Sequence, residues 1–215
     1  MIASKRLTLR KHMRALSRDT SGMAMIELAF VMPLILLIGL GGLELANVAT
    51  TQLKVSQIAL SVADNAARLG QTDNSGVTPT ITQADVDALL DGAMREGLSI
   101  DLQGKGRVVV SSLEYDNTLR SQVIRWQRCR GQLAARSAYG PAGTRVTGLG
   151  RGATKVQVSA GQAVMFVEVH YRYESLAGYW LPEGGQIRQE AGFIVRDDRN
   201  LGPGITGTNS RSLCT

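Results

Sequence analysis

The sequence predicts an α+β protein, with a long N-terminal transmembrane helix followed by a small antiparallel-sheet domain that carries one further helix. Three observations predict it. Residues 23–43 form a run of 21 residues with a single ionisable side chain, Glu27. Apolar positions then recur at helical spacing, first to residue 69 and again over residues 86–94. Beyond Gly104 the pattern changes to short β-branched stretches and strict alternation. The expected divisions are a basic leader over 1–22, a transmembrane and extended amphipathic helix over 23–70, and an outer α+β domain over 71–215 with a flexible C-terminal tail.

The apolar run defines the topology. At ~1.5 Å per helical residue its 21 residues cover about 31 Å, which matches a hydrocarbon core of about 30 Å. Lys5, Arg6, Arg10, Lys11, Arg14 and Arg18 precede it against the single acid Asp19, so the leader carries a net +5 of the chain's formal net charge of +6. A basic flank of this kind keeps the N-terminus cytoplasmic and sends the rest of the chain across the membrane. The basic pI therefore belongs to the leader, and no nucleic-acid partner is expected, because the chain after Gly22 is close to neutral whereas such a partner calls for a basic face on the folded domain. A cleaved secretory signal usually has an apolar region of about 7 to 15 residues and a small-residue cleavage site, and this run is longer and continues as helix. An uncleaved signal anchor is the stronger alternative.

The helix is expected to continue beyond the membrane. Val48, Val55, Val62 and Leu69 recur every seven residues beside Ile58, Ala59 and Ala66, while Lys54, Gln57, Asp64 and Arg68 occupy other faces. Arg68 in the last turn and Gly70 beyond it mark the end. Pro33 removes one backbone hydrogen bond and is expected to kink the rod. The apolar stripe packs on its own domain over the last turns, and the remainder is left to meet neighbouring helices.

Residues 71–80 read as a polar linker. Thr82 and Asp85 form a capping box for a second helix whose apolar face is Val86, Leu89, Leu90, Ala93 and Met94, ending at Gly97. Asp85, Asp87 and Asp91 lack calcium-loop spacing and read as a solvated helix face. Residues 107–115 and 122–129 flank the turn signal Asp116-Asn117 and predict a hairpin. In residues 163–174, Met165, Val167, Val169, Tyr171 and Tyr173 alternate with Glu168, His170, Arg172 and Glu174, the clearest strand. A last strand is expected over 187–195. Residues 131–153 are Gly/Arg-rich and read as a mobile loop or contact surface, and the segment after Asn200 reads as disordered up to Cys214.

Cys129 and Cys214 both fall in the outer part, and two cysteines in an oxidising compartment read first as one disulfide. No catalytic constellation emerges. The histidines are His12 in the leader and His170 on a strand, too few for a zinc cluster, and no nucleophile elbow accompanies His170, which reads as half-exposed. Gly143 and Gly148 have the spacing of a phosphate loop, but Leu149-Gly150 stands where Lys-Ser/Thr is required. Gly148, Gly150 and Gly152 do not complete a dinucleotide fingerprint. Trp126, Tyr171, Tyr173, Tyr179 and Trp180 read as packing residues. No metal, cofactor, small-molecule substrate or enzymatic activity is expected.

Gly22 followed by Met-Ala-Met-Ile-Glu27 resembles the processing site of type IV pilins and pseudopilins. The continuation Glu27-Leu-Ala-Phe-Val-Met-Pro-Leu-Ile-Leu-Leu is similar to the TadE-type minor pseudopilins of the tight-adherence (Flp pilus) system. Ala63-Asp-Asn-Ala-Ala-Arg-Leu-Gly70 resembles that family's segment at the end of the long helix, and Val167-Glu-Val-His-Tyr-Arg-Tyr-Glu-Ser-Leu176 resembles its strand. Residues 97–160 carry no such likeness, and Leu28 stands where the system's major pilins usually have an aromatic.

The resemblance implies that a prepilin peptidase cuts between Gly22 and Met23 and leaves a 193-residue chain anchored in the bacterial inner membrane, its C-terminal domain periplasmic. It implies pairing of Glu27 with the new amino group of an adjacent subunit, which fixes axial register. The implied partners are the membrane, the peptidase, other pilins or pseudopilins and the pilus assembly platform, in building an adhesive pilus or related secretion apparatus. The alternative is an uncleaved, signal-anchored periplasmic scaffold or binding protein of the TadG-like kind.

Overall fold

The apolar run and the amphipathic stretch after it form one continuous helix, α1 (Ser21–Arg68), 48 residues long, which passes through Pro33 without interruption. The computed structural model describes residues 21–70, 78–175, 185–196, 199–202, 204–207 and 212–214. Most of the expected leader, most of the linker over 71–80, and Tyr179 and Trp180 lie outside the described residues. The chain divides into two compact units, Met1–Ala46 and Asn47–Thr215. The boundary expected near residue 70 therefore falls inside α1, because the outer turns of the helix belong to the core of the second unit.

In the first unit every described side chain from Gly22 to Leu43 is exposed, including Phe30, Ile35 and Ile38. The helix is apolar all round there, with a mean hydropathy of 2.4 over its most apolar window and none of that window buried in protein. Length and composition suffice to cross a bilayer.

In the second unit α1 is amphipathic. Val55, Ile58, Ala59, Val62, Ala63, Ala66 and Ala67 are buried, spaced at three and four residues, and four alanines let neighbouring elements come close. The helix ends at Arg68, Gly70 takes the left-handed conformation (φ +76°), and Arg199 donates to the carbonyls of Ala66 (3.0 Å) and Leu69 (2.6 Å). A guanidinium at this terminus satisfies orphan carbonyls and opposes the negative end of the helix dipole.

Strand β1 (Ile81–Thr82) leads into α2 (Gln83–Glu96), whose capping box forms as expected: Thr82 Oγ1 accepts from Asp85 N, and Asp85 Oδ2 accepts from Thr82 N at 2.9 Å. Val86, Leu90, Ala93 and Met94 face the core, and Gly97 closes the helix. A short 3-10 turn (Leu98–Ile100) and α3 (Leu102–Lys105) then feed the sheet.

The sheet consists of β2 (Gly106–Asp116), β3 (Ser121–Arg130), β4 (Arg145–Val146), β5 (Ala163–Arg172) and β6 (Gln186–Ile194), in spatial order β4-β3-β2-β5-β6 and antiparallel throughout. β2 and β3 are the predicted hairpin. Asp116 Oδ1 accepts from the Thr118 and Leu119 amides, which tightens its turn. β5 is the strand predicted by alternation, and β6 is the predicted last strand. A further strand, β7 (Ile205–Thr206), pairs in parallel with β1.

Period two gives the sheet two faces. Val108, Val110, Trp126, Met165, Val167, Val169, Tyr171 and Ile187 share one core with the outer turns of α1 and with α2. Leu113, Ile124, Val164 and Phe166 form a second, smaller core with Leu149 and Val158, against which Tyr139, Val146 and Val156 pack.

The second core corrects the reading of residues 131–153. They form a cover over the far sheet face, entered at Gly131, whose φ is +113° and where a Cβ would lie 2.2 Å from the Gly106 carbonyl oxygen. The same cover corrects β5. His170 reads from the sequence as half-exposed, yet it is 6% exposed, and Glu168, two residues before it on the same face, is 0% exposed. Asp87 is likewise buried instead of solvated, and Asp91 pairs with Arg130. The segment after Asn200, read as disordered, contributes β7 and a fully buried Ser212 among its described residues.

Candidate functional site

The residues singled out for processing lie in the first turns of α1. Gly22 is helical and exposed, and a Cβ there would meet nothing within 4 Å, so packing does not demand glycine. Glycine inside a helix costs about 1 kcal/mol relative to alanine, so this position carries a local penalty that the fold does not repay. Met23 is exposed, and Glu27 follows four residues later on the same side of the helix. Among the described residues the Glu27 side chain has no ion-pair partner. An exposed carboxylate in an apolar run is costly in lipid unless a partner supplies the opposite charge.

Cys129 and Cys214 form the expected disulfide, with their Cα atoms 4.9 Å apart. Cys129 is buried on β3, and its amide donates to the Ser212 carbonyl at 2.7 Å. Ser212 Oγ donates to Asp87 Oδ1 at 2.6 Å and accepts from Gln83 Nε2 at 3.1 Å, and Gln83 Oε1 accepts from Arg128 Nε at 2.8 Å. The C-terminal residues are therefore held at α2 and β3 by one covalent bond and a buried polar network.

The far face of the sheet carries a cluster that sequence reasoning missed. Register places His170 of β5 beside Arg107 of β2 and Arg188 of β6, and Glu168 beside Glu190. Glu168 accepts from Ser137 Oγ and from the Ala138 amide at 3.0 Å, and forms an ion pair with Arg188 Nη2 at 3.3 Å, with His170 Nε2 3.7 Å away. Burial alone would raise the Glu168 carboxyl. His170, the Ser137 hydroxyl, the Ala138 amide and Arg188 together outweigh it and hold the group below the usual glutamate range. Glu190 accepts from Tyr139 OH at 2.9 Å and pairs with Arg188 and Arg151. The Arg188 guanidinium also lies 5.4 Å over the Tyr139 ring, which stands edge-on to Phe166.

This arrangement does not assemble a nucleophile. The Ser137 hydroxyl donates to the carboxylate and not to the imidazole, so Glu168 stands between serine and histidine, whereas a triad requires the histidine between serine and acid. The cluster ties the covering segment to the sheet through Ser137, Ala138, Tyr139 and Arg151. Among the described residues no three His, Cys, Asp or Glu side chains lie together in a way that could hold a metal ion.

Beside the cluster lies a cavity of about 300 Å³, bordered by Arg107, Gln127, Arg136, Ser137, Gly140 and the Cys129–Cys214 disulfide. The only sequence signal for either feature was negative: charged residues on a strand whose neighbours were apolar, and scattered apolar residues in a Gly/Arg-rich segment. No family model, curated protein or solved structure matches the chain.

Proposed function

We propose that this protein is a minor pseudopilin of the tight-adherence type. A prepilin peptidase cuts it between Gly22 and Met23, and it takes part in assembling an adhesive pilus or related secretion apparatus. The observation that carries the reading is the start of α1, where a glycine that packing does not require is followed by a carboxylate with no ion-pair partner among the described residues, at the entrance of a membrane-length helix. Cleavage after Gly22 creates an amino group at Met23, and Glu27 lies one turn further on. In a bundle of staggered helices each carboxylate meets the amine of a neighbour, which offsets two desolvation costs and defines the axial step.

Two further features support the reading. The disulfide suits an oxidising compartment, in line with a periplasmic outer domain and a cytoplasmic leader. Leu53 and Leu60, seven residues apart and 64% and 49% exposed, leave α1 an apolar stripe for neighbouring helices while its opposite stripe is consumed by the domain core.

The test is Glu27→Ala in cells that build the pilus. The variant inserts and accumulates at the wild-type level, because removing a charge from an apolar segment favours the membrane, yet pilus number falls sharply. Normal pili with the variant protein would remove the register role. An intact leader together with undisturbed function in a Gly22→Val variant would favour the signal-anchored scaffold instead.

A further inference from the structure

The five-stranded sheet treats its two edges differently. On one side β3 is capped at several points: β4 pairs with Gln122 and Val123, Ile124 donates to the Thr144 carbonyl at 3.0 Å and accepts from the Gly143 amide at 2.7 Å, and the Cys129 amide donates to the Ser212 carbonyl. On the other side β6 runs for nine residues with β5 as its one neighbouring strand. The Val195 amide donates to the Ala163 carbonyl and the Tyr173 amide to the Gly185 carbonyl, so odd-numbered residues along β6 aim their backbone groups at β5. Gln186, Arg188, Glu190, Gly192 and Ile194 therefore aim theirs outward, and among the described residues no group bonds to those amides and carbonyls.

An open row of donors and acceptors is a template for another chain, and proteins that do not use such a row guard it with a short strand, proline, lysine or a bulge. β6 contains neither proline nor lysine, and its register with β5 runs without a shift from Gln186 to Ile194. Both faces beside the row carry recognisable chemistry. On one, Ile187, Ala191 and Phe193 border the larger core, which an added strand with apolar side chains would extend. On the other, Arg188 and Glu190 set a cation and an anion two residues apart along the edge, paired with each other and held by Glu168, Tyr139 and Arg151.

A second copy of this chain does not fit the edge. The outer turns of α1 lie along β5 in the opposite sense, since Asn47 donates to Tyr173 OH at 2.7 Å just past the end of that strand, while Arg199 joins Ala66 to Met165 near its start. Antiparallel pairing of β6 with the β6 of another copy takes a two-fold axis normal to the sheet and would reverse that copy's α1, whereas copies anchored in one membrane insert in one sense. The β3 edge of another copy is already capped. We propose that β6 accepts an extended segment of a different polypeptide as a further strand of the sheet. That segment places apolar side chains beside Ile187, Ala191 and Phe193, and an acid facing Arg188 two residues from a base facing Glu190. The inference rests on membrane anchoring and not on cleavage at Gly22.

Amide hydrogen exchange of the full-length protein in detergent micelles, followed by NMR, tests the proposal. The probe is a peptide reading valine, threonine, valine, lysine, threonine, glutamate, isoleucine, threonine, which when docked antiparallel sets its lysine against Glu190 and its glutamate against Arg188. In the free protein the amides of Arg188, Glu190 and Gly192 exchange fast, while those of Gln189 and Ala191 are protected by β5. Peptide in excess is expected to slow the first three by about tenfold or more, as the bound fraction rises. Exchanging the peptide's lysine and glutamate weakens binding severalfold, because like charges then face each other. N-methylation of those two residues keeps their side chains, removes the amides that face β6 and abolishes the protection.

Slow exchange at Arg188, Glu190 and Gly192 in the dilute free protein would show the edge already covered and overturns the proposal. So does unchanged exchange with excess peptide, or equal protection by the N-methylated peptide. Protection that grows with protein concentration in the absence of peptide would assign the edge to a second copy and overturns it as well. The leader is present or absent in every arm alike, so none of these outcomes bears on processing at Gly22.

Discussion

The two halves of α1 are the same secondary structure held by opposite environments. From Gly22 to Leu43 no described side chain is buried, and apolar residues occupy every side. From Asn47 to Arg68 one apolar stripe is buried in the domain core, and the other sides are mostly polar apart from the exposed Leu53 and Leu60. The difference teaches that the number of apolar faces reports what surrounds a helix. An all-round apolar segment is suited to lipid as its solvent, and a striped one to packing on its own domain. Stability of the outer domain should therefore be sensitive to the second half of the helix and indifferent to the first.

The largest effect expected is from the covalent tie within the outer domain. Removing the disulfide with Cys129→Ala and Cys214→Ala should cost about 4.5 kcal/mol, the chain-entropy value for a loop of 85 residues. Denaturant unfolding of the detergent-extracted chain reads this loss, and amide exchange at α2 and β3 should rise because Ser212 loses its anchor. Unchanged unfolding would mean that the polar network around Asp87 holds the C-terminal residues alone.

The comparison is sharpest along α1 itself. Ile58→Ala deletes a fully buried side chain and should cost about 2 to 5 kcal/mol. Leu60→Ala, two residues on and 49% exposed, should stay within about 0.5 kcal/mol. Ile35→Ala, in the first half, should leave unfolding of the outer domain unmoved. Equal losses at Ile35 and Ile58 would break the distinction between lipid-held and domain-held turns.

Next comes the buried acid on the far sheet face. Glu168→Gln should cost about 1 to 3 kcal/mol at neutral pH, since the half-buried Arg188 loses one of its two carboxylate partners and keeps only Glu190. Because the folded-state value of Glu168 is depressed, its contribution is present above the ordinary glutamate range and is lost as pH falls through the depressed value. Glu114 has the reverse sign. Burial raises it despite Ser112 and Arg125, so it favours the folded state when protonated, and that contribution fades as pH rises from the ordinary value through the raised one. Melting temperature against pH for Glu168→Gln and Glu114→Gln should show opposite changes in slope on the acid side. The smallest effect is Thr82→Ala, expected to cost about 1 kcal/mol through loss of the helix cap.

The legible parts of the sequence are those with a period. The apolar run, the heptad of Val48, Val55 and Val62, the capping box at Thr82 and the alternation in β5 each announce their element locally. The illegible parts depend on a covering layer without one. Leu133, Tyr139, Val146, Leu149, Val156 and Val158 are spread irregularly among glycines and arginines, so nothing local shows that they bury the far face of the sheet.

The burial of Glu168 and His170 is illegible for that reason, since alternation reveals two faces but not what lies on the second. Asp87 was misread in the same way, because its partner Ser212 is 125 residues distant in sequence. Gly22 and Glu27 are the reverse case: they were conspicuous in sequence, and the packing adds only that it does not require the glycine.

The most direct measurement is the intact mass of the chain purified from membranes of cells that contain the prepilin peptidase, compared with the mass from cells that lack it. The account predicts a 193-residue protein beginning at Met23 in the first case and the uncut chain in the second. A functional protein that still begins at Met1 with the peptidase present would contradict it.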